Sequence, residues 1–390
     1  MNTCQICHSN NWLPLIEPNS KFSITTAGRI LNQPLGKAQC SSCGFVQRIK
    51  SEFLGISNYY ERDYANYYER PGTQSFHKSR YSEIISWMCS IILPEHNINK
   101  IMDVGCGQGW AMEAMKEKFP LAEIEGIEPS YFNSEKAKEK GLSVIEGKIE
   151  NLFIKKKYDL VYSNNVVQHV NDARAFLKSL ASIVKDDGII ILTCPDGSKP
   201  NIELLWSDQN FSFLPEHLIE LYRGSNFTYF KCIASPISPS LPSAQMIILT
   251  NNHLYKNFSE TGLTDLSVNL NTIYENRNQY LSSLAAVSEY LTFNLENYTI
   301  VYNFGASYWS SILAAYCPDY WEKVTGCLIE DLGDDVYFLG RKVLTLSKIE
   351  LNENHALVLG ISPAWHKAVK NKLNYKNIKN IITWEHLMPQ

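Results

Sequence analysis

The sequence has no long apolar run and little net charge, and each of these features excludes a class of protein. No apolar run approaches the 18 residues of a membrane-spanning helix, and polar Met1–Ser9 does not resemble a signal peptide. The formal net charge of −4 provides no field that would attract nucleic acid or an anionic membrane. We therefore expect a cytoplasmic protein without nucleic-acid or membrane partners, and its oligomeric state stays open.

Disulfides are not expected either, because ten cysteines occur without a secretion signal. Four of them form two pairs, Cys4-x-x-Cys7 and Cys40-x-x-Cys43. Each pair of thiolates can fill two corners of a zinc tetrahedron, with Zn–S distances of about 2.3 Å. Redox thiols or unrelated cysteines are the alternatives, but a redox pair needs a thioredoxin-like unit, and none is visible. We predict one structural zinc ion held by four sulfurs.

At 390 residues the chain is long enough for two or three domains. Apolar runs and helical patterns alternate twice, which predicts two α/β units. The first has strands at 100–104, 123–128, 142–145, 158–162 and 188–193, with helices at 76–92, 108–118, 133–139 and 172–184. The second has strands at 299–305, 324–329, 355–360 and 378–384, with helices at 273–293, 307–316 and 363–373. We expect a zinc-binding module over 1–57, a core domain over 58–252, and a linker with a second Rossmann-like domain over 253–390.

The turn after the first core strand is glycine-rich and is followed by an acid. Glycines stand at Gly105, Gly107 and Gly109, and Glu128 ends the next strand. Such a turn lets the backbone approach a nucleoside ligand, and the acid can accept hydrogen bonds from ribose hydroxyls. A dinucleotide loop would place a third glycine where this chain has Trp110, which is too bulky for that role. A glycine turn without any cofactor is the alternative.

The G-x-G-x-G pattern, preceded by Asp103, resembles motif I of class I S-adenosylmethionine-dependent methyltransferases. That resemblance implies a Rossmann-like core, with Asn164 at the strand end that faces the methyl group. Cys106 in the loop could equally serve packing, and Ile149-Glu150 could equally be a solvated pair. The cofactor-binding residues expected on this basis are Asp103, Gly105, Cys106, Gly107, Gly109, Glu128, Pro129, Ile149, Glu150 and Asn164.

The whole chain resembles the sugar C-methyltransferases of deoxysugar biosynthesis. The resemblance rests on the Cys pairs, the glycine loop, Glu216-His217, and the C-terminal runs 302–307, 329–331 and 340–343. It implies a small-molecule acceptor, a nucleotide-linked keto-sugar, with His217 as general base and Glu216 and Tyr68 beside it in the active site. Without the family, Pro215-Glu216-His217 is an ordinary helix start.

The sequence departs from that family where the acceptor would bind. Leu214 replaces a tyrosine, the serines near Tyr67 and Tyr68 are missing, and Tyr308-Trp309 follows the C-terminal glycine turn. A different acceptor therefore stays open. The alternatives are an O- or N-methyltransferase acting on another small molecule, and a zinc-containing binding module with a catalytically silent core.

Overall fold

The computed structural model describes residues 3–49, 59–64, 74–222, 225–236, 243–258, 269–330, 336–375 and 378–389. The strands in the described residues are β1 Trp12–Pro14, β2 Ser23–Ile24, β3 Ile30–Leu31, β4 Lys37–Cys40, β5 Val46–Arg48, β6 Lys100–Val104, β7 Glu123–Glu128, β8 Ser143–Glu146, β9 Tyr158–Asn164, β10 Val184–Pro195, β11 Phe211–Ser212, β12 Tyr229–Ala234, β13 Ala244–Thr250, β14 Ile300–Phe304, β15 Val324–Ile329, β16 Tyr337–Phe338, β17 Arg341–Thr345, β18 His355–Leu359 and β19 Ile381–Ile382. The α-helices there are α1 Gln74–Cys89, α2 Trp110–Lys118, α3 Tyr131–Glu139, α4 Ala173–Ile183, α5 Pro215–Tyr222, α6 Leu270–Asn294, α7 Tyr308–Tyr316, α8 Pro318–Lys323 and α9 His366–Tyr375.

The chain forms two compact units. One comprises residues 1–14, 37–203 and 209–273, and the other comprises 15–36, 204–208 and 274–390. The limits of these units do not coincide with the predicted boundaries at 57 and 252, because residues 15–36 group with the C-terminal part of the chain. No sequence periodicity indicates that grouping, which depends on contacts between distant segments.

The first unit is built on a seven-stranded sheet in the order β12-β13-β10-β9-β6-β7-β8. The pairs from β10 to β8 are parallel, and β13 runs antiparallel to both β10 and β12. In order of occurrence along the chain, the strands lie 3-2-1-4-5-7-6 when read from the β8 edge. A dinucleotide-binding sheet lies 3-2-1-4-5-6, so the reversed strand near one edge distinguishes this sheet from it.

Apolar side chains cover both faces of this sheet. One layer includes Phe176 and Leu180 of α4 with Leu218 of α5, and the other includes Ile85 of α1 and Met115 of α2. Strands buried on both faces need near-continuous apolar runs, and β10 has one at 189–192. The carboxyl ends of β6, β7, β9 and β10 therefore form one edge, where a ligand would bind.

The first unit also contains a small antiparallel sheet in the order β1-β4-β5-β11. Its β4 and β5 flank the second Cys pair, and β11 lies just before α5. Residues Phe211 and Ser212 of β11 pair with Gln47 and Val46 of β5. The sheet thus joins the N-terminal cysteine region to the segment that contains Glu216 and His217.

The second unit contains a six-stranded sheet in the order β16-β17-β15-β14-β18-β19. All its pairs are parallel except β16 with β17. Leu328, Leu357, Leu359 and Leu373 form the centre of an apolar cluster there. This is the second Rossmann-like sheet that the sequence predicts, and the predicted α/β class is correct for both units.

Some predicted elements need correction. Strand β10 begins at Val184 rather than at the predicted residue 188, and its register with β9 shifts between Val184 and Ile189. The last predicted strand shrinks to Ile381–Ile382, and the helix predicted at 363–373 begins with a 3-10 turn over Pro363–Trp365 before α9. Within the described ranges, no helix combines the length and apolar character that crossing a bilayer requires.

Candidate functional site

The glycine loop connects β6 to α2 at the carboxyl edge of the first sheet. Gly105 has φ +80°, and a Cβ there would lie 2.3 Å from Cγ2 of Val166. Gly107 has φ +55°, and among the described residues beyond its two chain neighbours no atom lies within 4 Å of the position that an added Cβ would occupy. Gly105 is therefore required for close packing, whereas Gly107 borders open space that a ligand can fill. The loop contains the pattern that the sequence predicts.

Glu128 closes this loop from the end of β7. Its Oε2 accepts a 2.8 Å hydrogen bond from the Gly107 N–H, and its Oε1 accepts a 2.9 Å bond from the Ser130 N–H. Burial raises the pKa of Glu128 to about 7, against the lowering effect of these two bonds and of Asn133. The nearest helix start, α3, is capped by Ser130. The strand end thus holds a carboxylate at the edge of the open loop, as a ribose-binding acid requires.

Asp103 lies beneath the loop and is 1% exposed. Tyr162 donates a 2.9 Å hydrogen bond to its Oδ2. Burial, with a smaller contribution from the charge of Glu128 and against the lowering effect of the Tyr162 bond, raises the pKa of Asp103 to about 8. Asp103 and Glu128 are thus two buried carboxyl groups below the loop, and burial raises the pKa of both toward neutral pH.

Cys106 belongs to the packing of the loop. Its side chain is buried, and a Cβ on Gly126 would lie 2.6 Å from its Sγ. Its backbone N–H donates to Ile127 O at 3.0 Å and is not available to a ligand. Of the two open interpretations of Cys106, these contacts favour packing.

Gln108 and Asn133 support the acid from the loop and from α3. Gln108 is 9% exposed and Asn133 is 2% exposed. Gln108 Nε2 donates to Asn133 Oδ1 at 3.4 Å, and the Asn133 side chain in turn lowers the pKa of Glu128. Sequence reasoning misses both residues. The available signal is only that Gln108 is a polar residue inside the glycine motif and that Asn133 is a polar residue five positions after Glu128.

A cleft of about 380 Å³, part of it open to solvent, lies at the tips of β9 and β10. Arg80, Ile84 and Trp87 line it from one face of α1, spaced as i, i+4 and i+7. The remaining lining residues are Asn164, Asn165, Thr193, Pro195, Glu203, Ser243 and Ala244. The helical spacing of the α1 residues could have indicated this face.

The end of β9 faces the cleft with two asparagines. Thr193 Oγ1 donates to Asn164 Oδ1 at 2.7 Å, so the Asn164 amide nitrogen is its remaining polar group. Asn165 adopts φ +56°, and its N–H donates to Thr193 O at 3.0 Å. Val166 then packs on Gly105. The strand end that the sequence predicts to face the methyl group is thus in contact with the cofactor loop.

The Tyr59–Tyr64 segment crosses the same edge of the sheet. Ser130 Oγ donates to Tyr64 O at 2.6 Å, and Lys148 forms a 3.1 Å ion pair with Glu61. Tyr60 Oη lies 2.9 Å from Nδ1 of His169. These contacts follow the ends of β7, β8 and β9 in turn. His169 therefore has a phenol partner at the carboxyl edge of the sheet.

Pro129 follows β7 directly, and Ile149 and Glu150 lie in a 3-10 turn after β8. Ile149 is buried and Glu150 is exposed. All three therefore occur at the carboxyl edge, although their contact with adenine stays a prediction. Tyr67 and Tyr68, which the sequence proposes for the pocket, lie outside the described residues.

His217 does not have the environment of a general base. It is 2% exposed in the first turn of α5. The Leu214 N–H donates to its Nδ1 at 2.9 Å, and its Nε2 lies 2.8 Å from Cys43 O. Nδ1 must therefore be the acceptor and Nε2 the donor, which leaves neither ring lone pair for a substrate proton. These contacts make His217 a link between α5 and the second Cys pair, and the catalytic role inferred from the resemblance stays a prediction.

Glu216 differs from His217 in its hydrogen bonds. Both of its carboxylate oxygens are buried and have no hydrogen-bond partner among the described residues. Its charge contributes to raising the pKa of Cys232 to about 12, after the larger effect of burial and that of Asp196. Burying a carboxylate without a hydrogen-bond partner costs free energy. Such a carboxylate is typical of a group whose partner is a ligand or a proton.

The four predicted zinc ligands converge. The Sγ atoms of Cys4, Cys7, Cys40 and Cys43 all lie within 4.8 Å of one another. Cys4 Sγ is 3.7 Å from Cys43 Sγ, and Cys7 Sγ is 3.5 Å from Cys40 Sγ. A tetrahedron with Zn–S bonds of ~2.3 Å has edges of about 3.8 Å, so these four sulfurs fit that ion.

The two Cys turns have matching backbones. The His8 N–H donates to Cys4 O at 3.0 Å, and the Gly44 N–H donates to Cys40 O at 2.9 Å. Both residues have positive φ, +61° for His8 and +79° for Gly44. The hydrogen bond with Cys43 lowers the pKa of the Cys4 thiol to about 5 and raises that of Cys43. The proximity of the sulfurs already favours thiolate at Cys4, the form that binds metal.

Comparison with known proteins identifies the central domain. A family described as "Methyltransferase domain" matches residues 71–229. The chain is 34% identical over 97 residues to malonyl-[acyl-carrier protein] O-methyltransferase of Priestia megaterium, covering 24% of this chain and 35% of that protein. It is 36% identical over 105 residues to ubiquinone biosynthesis O-methyltransferase of Pelagibacter ubique, covering 25% of this chain and 42% of that protein. The chain thus spans well under half the length of these relatives.

Solved structures of methyltransferases are also similar to part of the chain. A plantazolicin methyltransferase in complex with SAH has 17% identity and a TM-score of 0.38, covering 46% of this chain and 86% of that chain. A SAM-dependent methyltransferase from Thermotoga maritima has 23% identity and a TM-score of 0.39, covering 46% and 92%. Residues 71–229 therefore match a methyltransferase domain, and most of them lie in the unit built on the seven-stranded α/β sheet.

Proposed function

We propose that the protein transfers a methyl group from S-adenosylmethionine to a small-molecule acceptor in the Arg80 cleft. The observation that supports this most is the open loop at Gly107, whose N–H is bonded to buried Glu128. The loop would receive the amino acid part of the cofactor, and Glu128 would hold its ribose. When bound, the cofactor supplies an electrophilic methyl on a sulfonium.

The chain's own contribution is to position the two reactants and exclude water. The loop, Glu128 and the end of β9 form one edge of the sheet, and the cleft lies beside Asn164. Orienting two bound reactants can account for about 7–11 kcal/mol of a barrier. Methyl transfer to an already nucleophilic atom needs little more than this, so the site does not depend on His217.

Calorimetric titration with SAH tests the proposal. Wild-type protein should bind it, Glu128→Ala should bind it much more weakly, and Gly107→Arg should not bind it. Gly340→Ala, a change in a turn of the second unit with φ +76° and open space around the Cβ, is the control. A wild-type protein that stays folded and shows no heat with SAH would end the enzyme hypothesis.

The finer identity of the acceptor has two candidates. We propose C-methylation of a nucleotide-linked keto-sugar on the resemblance over the whole chain, with residues 253–390 as the domain that serves the acceptor. Glu216, with unpaired buried oxygens, is then the better candidate to accept the proton next to the ketone. The contacts of His217 favour the second candidate, O-methylation of an acceptor that is already an oxyanion, because that reaction needs no base.

Solvent exchange separates these candidates. A C-methyltransferase should exchange deuterium into the acidic position of a keto-sugar acceptor, and Glu216→Gln should stop that exchange. An O-methyltransferase shows no such exchange.

We also propose that the four cysteines bind one structural zinc ion, supported by the sulfur distances. A site closed by four sulfurs has no position left for substrate, so the ion would stabilise the region next to α5 rather than take part in chemistry. The bond from His217 to Cys43 O connects that region to α5. Metal analysis of purified protein should find about one zinc per chain.

A further inference from the structure

We infer that the cleft binds its acceptor through an oxyanion, a carboxylate or phosphate group held by the Arg80 guanidinium. This inference rests on the proposed function and specifies the acceptor class of the same site. It concerns polar groups that the glycine loop and the cysteine cluster do not use.

Arg80 is positioned to meet a ligand. It shares one face of α1 with Ile84 and Trp87, which are 3% and 8% exposed and form the apolar wall of the cleft. Arg80 itself is half-buried. Across the described ranges, it has neither a hydrogen bond nor an ion pair. A guanidinium is a rigid planar donor that suits carboxylate and phosphate oxygens.

Asn164 and Glu203 are two other polar residues of the lining. The Asn164 Oδ1 accepts from the Thr193 hydroxyl, so its NH₂ group can donate to a ligand. The Glu203 Oε2 already accepts from Gln209 Nε2. An oxyanion bound at Arg80 can therefore accept a further hydrogen bond from the Asn164 amide.

The charged side chains in the cleft lining are Arg80 and Glu203. Lys37 is 3% exposed next to the Glu203 backbone, and its Nζ donates to the backbone O of Glu203 at 3.4 Å. A guanidinium at the wall of a partly buried cleft attracts an oxyanion and repels a free amine.

The probes are succinate, its neutral isostere succinamide, and inorganic pyrophosphate, titrated at constant ionic strength into protein saturated with SAH. Succinate represents a carboxylate acceptor, and pyrophosphate represents the phosphates of a nucleotide carrier. We expect at least one oxyanion to bind while succinamide does not. Arg80→Gln should weaken that binding about 10- to 100-fold, since a hydrogen bond to a charged group contributes about 1.5–3 kcal/mol. Arg80→Lys should give an intermediate loss.

The matched control is Lys78→Gln. Lys78 is a cation on the same helix, its side chain is 71% exposed, and it pairs with Glu117 away from the cleft lining. Lys78→Gln changes the net charge by the same amount as Arg80→Gln, and it should alter the anion affinity less than twofold. Equal unfolding midpoints of the two variants would establish that both are folded.

Preference for succinate identifies a carboxylate acceptor, and preference for pyrophosphate identifies a phosphate-bearing one; both outcomes support the inference. It is overturned if neither oxyanion binds, if succinamide binds equally, or if Arg80→Gln and Lys78→Gln behave alike. SAH binding with no anion binding refutes this inference alone. Absence of SAH binding refutes the proposed function, and titration of the ligand-free protein then still tests Arg80.

Discussion

Adding one methyl group to the glycine loop, with Gly107→Ala, should separate cofactor binding from folding. Gly107 has φ +55°, and apart from its two chain neighbours no atom in the described part of the chain lies within 4 Å of the added Cβ. The backbone cost of alanine in this left-handed conformation is about 1–2 kcal/mol. Its N–H can still donate to Glu128, because the substitution changes no backbone atom.

The effect on the cofactor should be larger than this backbone cost suggests. If the open space receives the cofactor, the added methyl overfills a close-packed contact, which costs about 1–3 kcal/mol. That corresponds to SAH binding weakened about 5- to 150-fold, at about 1.4 kcal/mol per factor of ten. Calorimetry measures the affinity, and thermal unfolding without ligand measures the backbone cost.

Gly340→Ala is the matched control for this experiment. Gly340 has φ +76°, also has no atom within 4 Å of the added Cβ, and lies in the β16–β17 turn of the second unit. Both variants should lose similar stability without ligand, and only Gly107→Ala should lose affinity. SAH affinities within twofold of each other would refute the assignment of the open space to the cofactor.

Three further outcomes are expected. Stability of the cofactor-free protein should rise by about 2–4 kcal/mol from pH 8 to pH 6, because the folded pKa values of Asp103 and Glu128 are raised to about 8 and 7. At pH 6 the folded state then binds protons that the unfolded state does not bind. Thermal unfolding at both pH values measures this gain in stability. Asp103→Asn should remove about half of that gain. Chelation of zinc, or Cys40→Ser, should lower the unfolding midpoint and the metal content together. His217→Ala should destabilise the protein by about 2–4 kcal/mol, since it leaves a buried N–H and the Cys43 carbonyl without their partner.

Each of these expectations has a contrary result. Stability that is flat or falls between pH 8 and pH 6 would show that the two carboxyl groups are ionised in the folded state. Metal-free protein with an unchanged midpoint would contradict the zinc assignment. If His217→Ala keeps full stability but loses all turnover with a keto-sugar, the histidine is catalytic after all.

Much of the first unit could be predicted from local sequence. The glycine turn, the acid at Glu128 and the Cys pairs are recognisable because each depends on residue types at fixed short spacing. The β12–β13 hairpin is absent from the predicted elements, although Ala244–Thr250 contains an apolar run. A pattern of alternating helices and strands does not indicate an antiparallel strand pair. No local feature of the sequence indicates that β13 lies between β12 and β10.

Pairings that join distant residues could not be predicted. The sequence suggests a catalytic base at His217, because a histidine after a glutamate is compatible with either catalysis or capping. Only the fold places Cys43 O 2.8 Å from the ring, across 174 positions of chain. In the same way, Tyr60 and His169 come together across 109 positions. The role of a side chain depends on which of its lone pairs are not already hydrogen-bonded, and the spacing of residues in the sequence does not show this.

The amino-acid sequence by itself determined the α/β class, the cofactor loop and the two cysteine turns. These features follow from backbone conformation and short-range periodicity, which are properties of neighbouring residues. The tertiary structure alone decided that four sulfurs meet, that Arg80 and Asn164 line one cleft, and that His217 is a buried link. The physical reason is that burial and hydrogen-bond partners are set by segments far apart in the chain, and chemistry depends on both.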